Sequence, residues 1–396
     1  MGLQFGSRWL LNIFLLTSLG DKDFGIFAFI YSIANFSIAI LPFGSQTFLI
    51  KSGNNPEKAK LIFQQSLASS YLLFCIAIVF FYLIDLFIDQ PYGQLLYLGI
   101  ILGFFFSINT IVFTYLKALG SFKFDLLINL IFSLLIGVII GLTFIDYPIN
   151  IAFYFYALIF INFFTTFLCF LLSKDISAND LIESIHFKDI NIFRSLNERG
   201  YYGFQDILTA TFVQGGMLIM PLLISEELYG KYRGILLITA PFALINVAVS
   251  QVLLQNITGK SLEEIKSFFH KLQLISIPAL LLILCSLFYF RETILKIISK
   301  ISLTEETQVA FIIISLMILF SFIYSGYEMV IVALNRQKYR FWIMFLGAIT
   351  NIISIYLLLP KYGLIGALLT NLISSVIVVI SMAYIAEKFF RKQTSI

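Results

Sequence analysis

One polar stretch divides the chain: residues 173–200, which read SKDISANDLIESIHFKDINIFRSLNERG. Nine of these 28 residues are charged, whereas charged residues make up only 12% of the whole chain. On each side lies a series of apolar runs separated by short polar gaps. The pattern predicts two similar halves, residues 1–172 and 201–396, joined by a connector at 173–200.

The composition excludes a soluble domain. Hydrophobic residues make up 60% of the chain, and the mean hydropathy is +0.95. Soluble domains contain about 45–50% apolar and about 25% charged residues. The apolar runs are about 20 residues long, the length of a membrane-spanning helix, whereas barrel strands are about half as long and alternate. Backbone groups in hydrocarbon must pair within the segment, so we predict an all-α polytopic membrane protein.

We predict twelve spans, six in each half, which together form two pseudo-symmetric six-helix bundles. The first 19 residues are interpreted as a membrane helix and not as a signal peptide, because a small-x-small cleavage site is absent. The predicted spans are 3–19, 26–50, 61–84, 94–116, 124–145, 151–172, 201–224, 234–254, 272–290, 309–334, 341–359 and 364–386.

The basic residues orient the chain. Of the 26 Lys and Arg residues, 18 lie in one alternate set of gaps and seven in the opposite set. Because basic loops stay inside, the first set is assigned to the cytoplasm, and both termini lie there too. In the connector, Leu181, Ile185, Ile190 and Phe193 recur at near-helical spacing. They predict an amphipathic helix on the cytoplasmic face.

The two halves repeat each other. Asp21–Gly25 opens the second span, and Glu226–Gly230 precedes the eighth at an offset of 205 residues. Residues 117–124 follow the fourth span, and residues 332–339 follow the tenth at an offset of 215. Both members of each pair fall on one side of the membrane, so the repeats are parallel. Internal repeats are typical of transporters, in which the site lies between the copies.

These stretches carry a resemblance to a known family. Residues 19–28 (LGDKDFGIFA) resemble the first loop of polysaccharide flippases. Residues 333–338 (ALNRQK), Asn351 and residues 361–367 (KYGLIGA) resemble the last three helices of the same proteins. The chain is similar to the Wzx-type O-antigen exporters of the multidrug/oligosaccharidyl-lipid/polysaccharide (MOP) superfamily. It is shorter, with almost no polar residues before its first helix.

The resemblance implies two six-helix lobes around a central cavity that opens alternately to each side of the bacterial inner membrane. It implies a lipid-linked oligosaccharide substrate, typically on undecaprenyl diphosphate, that moves from the cytoplasmic to the periplasmic leaflet. The partners expected from it are this substrate, membrane lipids, a polysaccharide polymerase and chain-length proteins. No nucleic acid, cofactor or metal is expected.

Arg8 is the first candidate for a substrate-binding residue. It lies in the first span, about 16 Å from the periplasmic end at 1.5 Å per residue. A guanidinium binds phosphate oxygens in a bidentate way, and charges inside a membrane are expensive. The alternative is that Arg8 extends to the cytoplasmic headgroups.

Two carboxylates are candidates for ion coupling. Glu328 lies in the tenth span near Tyr324 and Tyr327. It is predicted either to couple an ion, to pair with Arg8, or to pair with Arg336 or Lys338. Asp206 in the seventh span either couples an ion or pairs with Arg199.

The neutral candidates for contacts with sugar hydroxyls are Asn35, Gln214 and Asn246. Hydrogen bonding between helices explains such residues equally well. The sequence contains no Gly-rich phosphate loop, nucleophile triad or metal-ligand cluster, which predicts a transporter and not an enzyme. The alternatives are a cation-coupled drug or metabolite antiporter of the same superfamily and, ranked last, a membrane polysaccharide polymerase.

Overall fold

The structure, a computed structural model, describes residues 2–52, 55–87, 92–143, 150–173, 176, 192–257, 260–299, 304–334 and 336–392. Within these ranges the regular secondary structure is entirely helical, which confirms the predicted all-α architecture. The helices are α1 (Gly2–Ile40), α2 (Ser45–Ser52), α3 (Pro56–Phe87), α4 (Gln94–Ala118), α5 (Phe122–Leu142), α6 (Ile151–Leu172), α7 (Ile192–Ile219), α8 (Glu226–Leu236), α9 (Ala240–Ile257), α10 (Leu262–Tyr289), α11 (Arg291–Ser299), α12 (Glu305–Ala333) and α13 (Gln337–Lys392).

The two longest helical segments each contain a break that makes two spans. In the described chain, nine helical segments are long and apolar enough to cross a membrane, and α1 and α13 are among them. Gly20 interrupts α1 with φ 76°, and Gly363 interrupts α13 with φ 50°. Glycine adopts these left-handed angles at low cost because it has no Cβ. The first and second predicted spans therefore share α1, and the last two share α13.

The sequence prediction was wrong at the end of the second span. The second span does not continue to residue 50, because α1 ends at Ile40 and α2 starts at Ser45. Pro42 and Gly44 lie between them. Pro42 has no N–H to donate to a helical hydrogen bond, and the left-handed angle of Gly44 (φ 74°) does not continue a helix. The predicted amphipathic helix of the connector falls mostly on residues 177–191, which lie outside the described residues.

The chain packs into two compact units. Unit 1 comprises Met1–Ser18 and Ile26–Gln214, and unit 2 comprises Leu19–Gly25 and Gly215–Ile396. The division therefore falls inside α7, and the short turn at the α1 break belongs to unit 2. The predicted lobes 1–172 and 201–396, with a connector between them, stay a prediction.

In unit 1, α4 is the central helix. It packs against α2, α3, α5 and α6. Its Asn109 amide donates to the Asn162 side chain of α6 at 2.8 Å, and Thr166 donates to the Asn109 oxygen at 2.5 Å. On another side, Tyr115 stacks on Phe63 of α3 with ring centroids 4.4 Å apart. The buried amides thus find partners within the bundle, as hydrocarbon surroundings require.

In unit 2, the two repeated loop motifs pack on each other. A Cβ on Gly25 would lie 2.0 Å from the Glu226 carbonyl oxygen, and a Cβ on Gly230 would lie 1.8 Å from the Asp21 carbonyl oxygen. Asp21 and Gly25 are each 205 residues before their counterparts, so the two contacts are the same contact with the roles exchanged. Such reciprocity is the mark of a local two-fold relation. The repeat seen in the sequence is therefore also a physical contact.

We expect Gly25→Ala and Gly230→Ala each to destabilise the protein by at least ~1–3 kcal/mol, the usual cost of overpacking. The added methyl group would meet backbone atoms, which cannot rotate away. Gly137→Ala is the matched control, because a Cβ there meets nothing within 4 Å. Thermal unfolding of the purified protein in detergent measures the difference. Equal melting temperatures for Gly25→Ala and Gly137→Ala would contradict the close backbone contact.

Candidate functional site

The Arg8 guanidinium lies against aromatic rings inside unit 1. Its central carbon is 4.1 Å from the ring centroid of Phe106 in α4 and 5.1 Å from that of Phe132 in α5. The Tyr31 side chain hydrogen-bonds to it, and the Tyr31 ring meets Phe106 edge-on at 5.8 Å. Phe106 and Phe132 are buried core residues. The side chain thus packs inward, against α4 and α5.

The charge on Arg8 is only partly compensated. Within the described residues, no ion pair joins Arg8 to a carboxylate, and its enclosed Nε has no hydrogen-bond partner. A cation over an aromatic face gains about 2 kcal/mol when desolvated. Taking an ion out of water costs several kcal/mol, so the rings alone do not offset the loss of hydration. The described residues therefore compensate the charge of Arg8 incompletely.

The neutral candidates of unit 1 do not join Arg8 directly. Asn35 is half-buried and lies one helical turn after Tyr31, on the same face of α1. Gln214 lies in α7, where its enclosed Oε1 has no hydrogen-bond partner among the described residues. Of the predicted set, the structure brings neither Asn35 nor Gln214 into a described hydrogen bond with the guanidinium. Tyr31, which the sequence analysis did not single out, occupies that place.

Asn246 in unit 2 joins two helices. Its amide nitrogen lies 3.1 Å from the Ser321 carbonyl oxygen and 3.2 Å from the Ser321 hydroxyl, and it donates to both. Its oxygen accepts a hydrogen bond from Ser325. Asn246 lies in α9 and both serines lie in α12. The contacts match the alternative of interhelix hydrogen bonding.

Glu328 forms a buried ion pair. The side chain is 7% exposed, and its Oε1 lies 2.5 Å from Nη2 of Arg340 at the start of α13. The Tyr324 side chain hydrogen-bonds to both partners. The predicted alternative that Glu328 pairs with Arg336 or Lys338 was wrong. The guanidinium of Arg336 instead lies over the Phe389 ring, 4.9 Å from its centroid. The negative charge of Glu328 is thus compensated within unit 2.

We expect Glu328→Gln to lower the stability by up to ~3–5 kcal/mol, because it leaves the mostly buried Arg340 without its counter-charge. Glu292→Gln is the control, since it breaks an exposed pair with Lys296 at 2.9 Å and should change little. Melting temperatures of the two variants in detergent provide the comparison. A similar small shift in both would show that the Glu328–Arg340 pair does not stabilise unit 2.

Arg199 is a buried cation that lies at the end of the polar connector predicted from the sequence. It is 1% exposed, and burial lowers its pKa to about 10. Its five N–H groups donate to the Ser195 carbonyl oxygen and to four serine hydroxyls, namely those of Ser45, Ser66, Ser69 and Ser195. The donors therefore go to serines and not to Asp206, the expected partner. The spacing of Ser66 and Ser69 on one face of an apolar helix was the signal available in the sequence.

Arg199→Ala is expected to destabilise the protein by ~2–4 kcal/mol, because it removes the charged hydrogen bonds from α7 to α2 and α3 and leaves a cavity in place of the buried side chain. Arg194→Ala, five residues earlier in α7, removes an exposed pair with Glu198 and should be nearly neutral. Thermal unfolding of both variants tests this. If the melting temperatures of Arg199→Ala and Arg194→Ala are equal, the hydrogen bonds that join α7 to α2 and α3 do not stabilise the protein.

Comparison with known proteins adds to this geometry. No family model and no curated protein matches the sequence. Solved structures do match. An inward-facing multidrug resistance MATE family transporter of the MOP superfamily is 14% identical, with a TM-score of 0.70 over 99% of this chain and 96% of that chain. The lipid II flippase MurJ in an inward closed conformation is 16% identical, with a TM-score of 0.70 over 97% of this chain and 86% of that chain.

A third match is a MOP superfamily transporter from Pyrococcus furiosus, whose binding pocket of reversed polarity suggests a different function for that protein. It is 13% identical, with a TM-score of 0.64 over 98% of this chain and 93% of that chain. The chain has the fold of the MOP superfamily transporters. Identities this low establish the fold, and function has to be argued from the residues of the site.

Proposed function

We propose that this protein is a flippase for a lipid-linked oligosaccharide. It moves a repeat unit on undecaprenyl diphosphate from the cytoplasmic to the periplasmic leaflet of the inner membrane by alternating access. This transport serves surface polysaccharide biosynthesis, and both termini lie in the cytoplasm. The proposal depends on one observation, the partly compensated Arg8 cation beside Phe106, Phe132 and Tyr31.

The chemistry of Arg8 suits a diphosphate. The guanidinium offers several N–H donors in a planar fork that matches two phosphate oxygens, and charge-assisted hydrogen bonds are about twice as strong as neutral ones. The apolar rings keep the local dielectric low, which strengthens the attraction. Within the described residues no carboxylate is paired directly with Arg8, so the phosphate does not have to displace one. Asn35, one turn beyond Tyr31, is a candidate for the first sugar hydroxyl.

A cation-coupled drug or metabolite antiporter is the second candidate, since MATE transporters have the same fold. A site for organic cations needs a carboxylate whose charge is not already neutralised. Glu328 is paired with Arg340, which argues against that role. Asp206 remains the ion-coupling candidate in unit 1. A polysaccharide polymerase is the least supported, and polymerase and chain-length proteins enter as proposed partners.

Arg8→Ala should reduce glycan export at least tenfold, because a charged hydrogen-bonding group contributes about 1.5–3 kcal/mol and two phosphate oxygens lose their donors. Arg8→Lys keeps the charge but loses the bidentate geometry, so intermediate export is expected. The matched control is Arg336→Ala, which removes another arginine that lies over an aromatic ring. Surface glycan is quantified in cells whose membranes contain equal amounts of each variant.

Two results would overturn the proposal. Full export by Arg8→Ala would remove Arg8 from the substrate site. Uptake of organic cations by proteoliposomes, with no transfer of a fluorescent lipid-linked oligosaccharide between leaflets, would establish the antiporter instead.

A further inference from the structure

A polar seam lies between α1 and α5 inside unit 1. Its members are Gln4, Ser7 and Arg8 of α1 and Asp125, Asn129 and Ser133 of α5. Spacings of three and four residues put each set on one face of its helix. The Ser133 hydroxyl donates to the Ser7 hydroxyl at 3.4 Å, and Arg8 lies 5.1 Å from the Phe132 ring. The two polar faces therefore oppose each other.

The seam concentrates buried polar atoms that have no protein partner. In the described residues there are seven such side-chain atoms, and four of them belong to the seam. Two are donors, Nε2 of Gln4 and Nε of Arg8, and two are acceptors, Oδ1 of Asp125 and Oδ1 of Asn129. Asp125 is 8% exposed and Asn129 is 3% exposed. Buried polar groups are normally satisfied, so a cluster of exceptions indicates a bound ligand that serves both kinds of atom.

Water fits this set better than a metal cation does. A cation would satisfy the two oxygens but leave the two N–H donors without acceptors. It would also be repelled by Lys117, whose Nζ lies 3.8 Å from Oδ2 of Asp125, and by the Arg8 guanidinium. A water molecule donates and accepts, and buried waters typically make about three hydrogen bonds to such groups.

We propose that a chain of buried water molecules occupies the seam and links the Asp125 carboxylate to the Arg8 guanidinium. Seven residues of α5 separate Asp125 from Phe132, which is about 10 Å at 1.5 Å per residue. About three water molecules at ordinary hydrogen-bond spacing cover that distance. The Ser7 and Ser133 hydroxyls line the path.

Asp125 then acts as the distant counter-charge of Arg8, a consequence that rests on the proposed function, whereas the water chain itself does not. At about 10 Å and an effective dielectric constant of about 20, the Asp125 charge by itself weakens anion binding at Arg8 roughly tenfold. Lys117, whose Nζ lies 3.8 Å from Oδ2 of Asp125, opposes part of this effect in the unmodified protein, and its charge is unchanged in Asp125→Asn. It lets Arg8 bind a diphosphate and still release it. Asp125 is in this sense a positioning residue, which does not touch the substrate.

Radiolytic hydroxyl labelling tests the water chain, because radicals formed from bound water oxidise adjacent side chains even where bulk solvent cannot reach. Phe132 and Phe155 are both 0% exposed, and Phe155 packs against Phe27 with ring centroids 5.1 Å apart. We expect Phe132 to be oxidised several-fold faster than Phe155. Asn129→Leu should slow the labelling of Phe132 alone, and Ser133→Ala provides a milder second variant. Equal oxidation rates of Phe132 and Phe155 in the unmodified protein would overturn the proposed chain of water molecules.

The counter-charge is tested by the binding of farnesyl diphosphate to the purified protein. Asp125→Asn should tighten binding roughly tenfold, whereas Asp85→Asn, which removes an exposed carboxylate of α3, should leave it unchanged. Unchanged affinity in Asp125→Asn, with Phe132 labelling intact, would overturn the coupling to Arg8. If the unmodified protein fails to bind farnesyl diphosphate, the proposed function fails, while the labelling result stands independently.

Discussion

In hydrocarbon, the polar groups of a chain have to find partners other than bulk water, most of them inside the protein, and this requirement underlies the whole structure. It favours helices throughout the described chain. It also favours hydrogen bonds from serine and threonine hydroxyls to carbonyl oxygens one turn earlier in the same helix. Ser107 donates to the Gly103 carbonyl oxygen and Thr114 to that of Thr110, both at 2.7 Å. It also explains why the interior amides Asn109 and Asn162 bond to each other across α4 and α6.

Charged groups meet the same requirement in three different ways. Arg199 is surrounded by neutral serine oxygens that use all its donors. Glu328 is neutralised by Arg340. Arg8 has aromatic rings and one phenol, which compensate a cation incompletely. The first two arrangements satisfy the buried charge within the protein, whereas the third compensates it incompletely, and the proposed anion site lies there.

Glycine sets the places where the backbone turns or comes close to itself. Gly20 and Gly363 break two long helical segments at left-handed angles, and Gly25 and Gly230 allow the repeated loops to touch through their backbones. The repeat was visible in the sequence because a close backbone contact tolerates no side chain, so the glycine is needed in both copies. The backbone contact between the two loops is thus a physical reason for the weak sequence similarity between the halves.

Span lengths, helical class and most span positions followed from the sequence alone, since hydropathy and length are local properties. Arg8 also stood out, because a charge within an apolar run is conspicuous. The tertiary structure decided which groups meet: Glu328 with Arg340 and not with Arg336, and Arg199 with serines from α2 and α3. The unpartnered atoms of the seam arise only where α1 faces α5, over a hundred residues apart in the chain. Partner choice depends on distances between helices, and no local pattern encodes those distances.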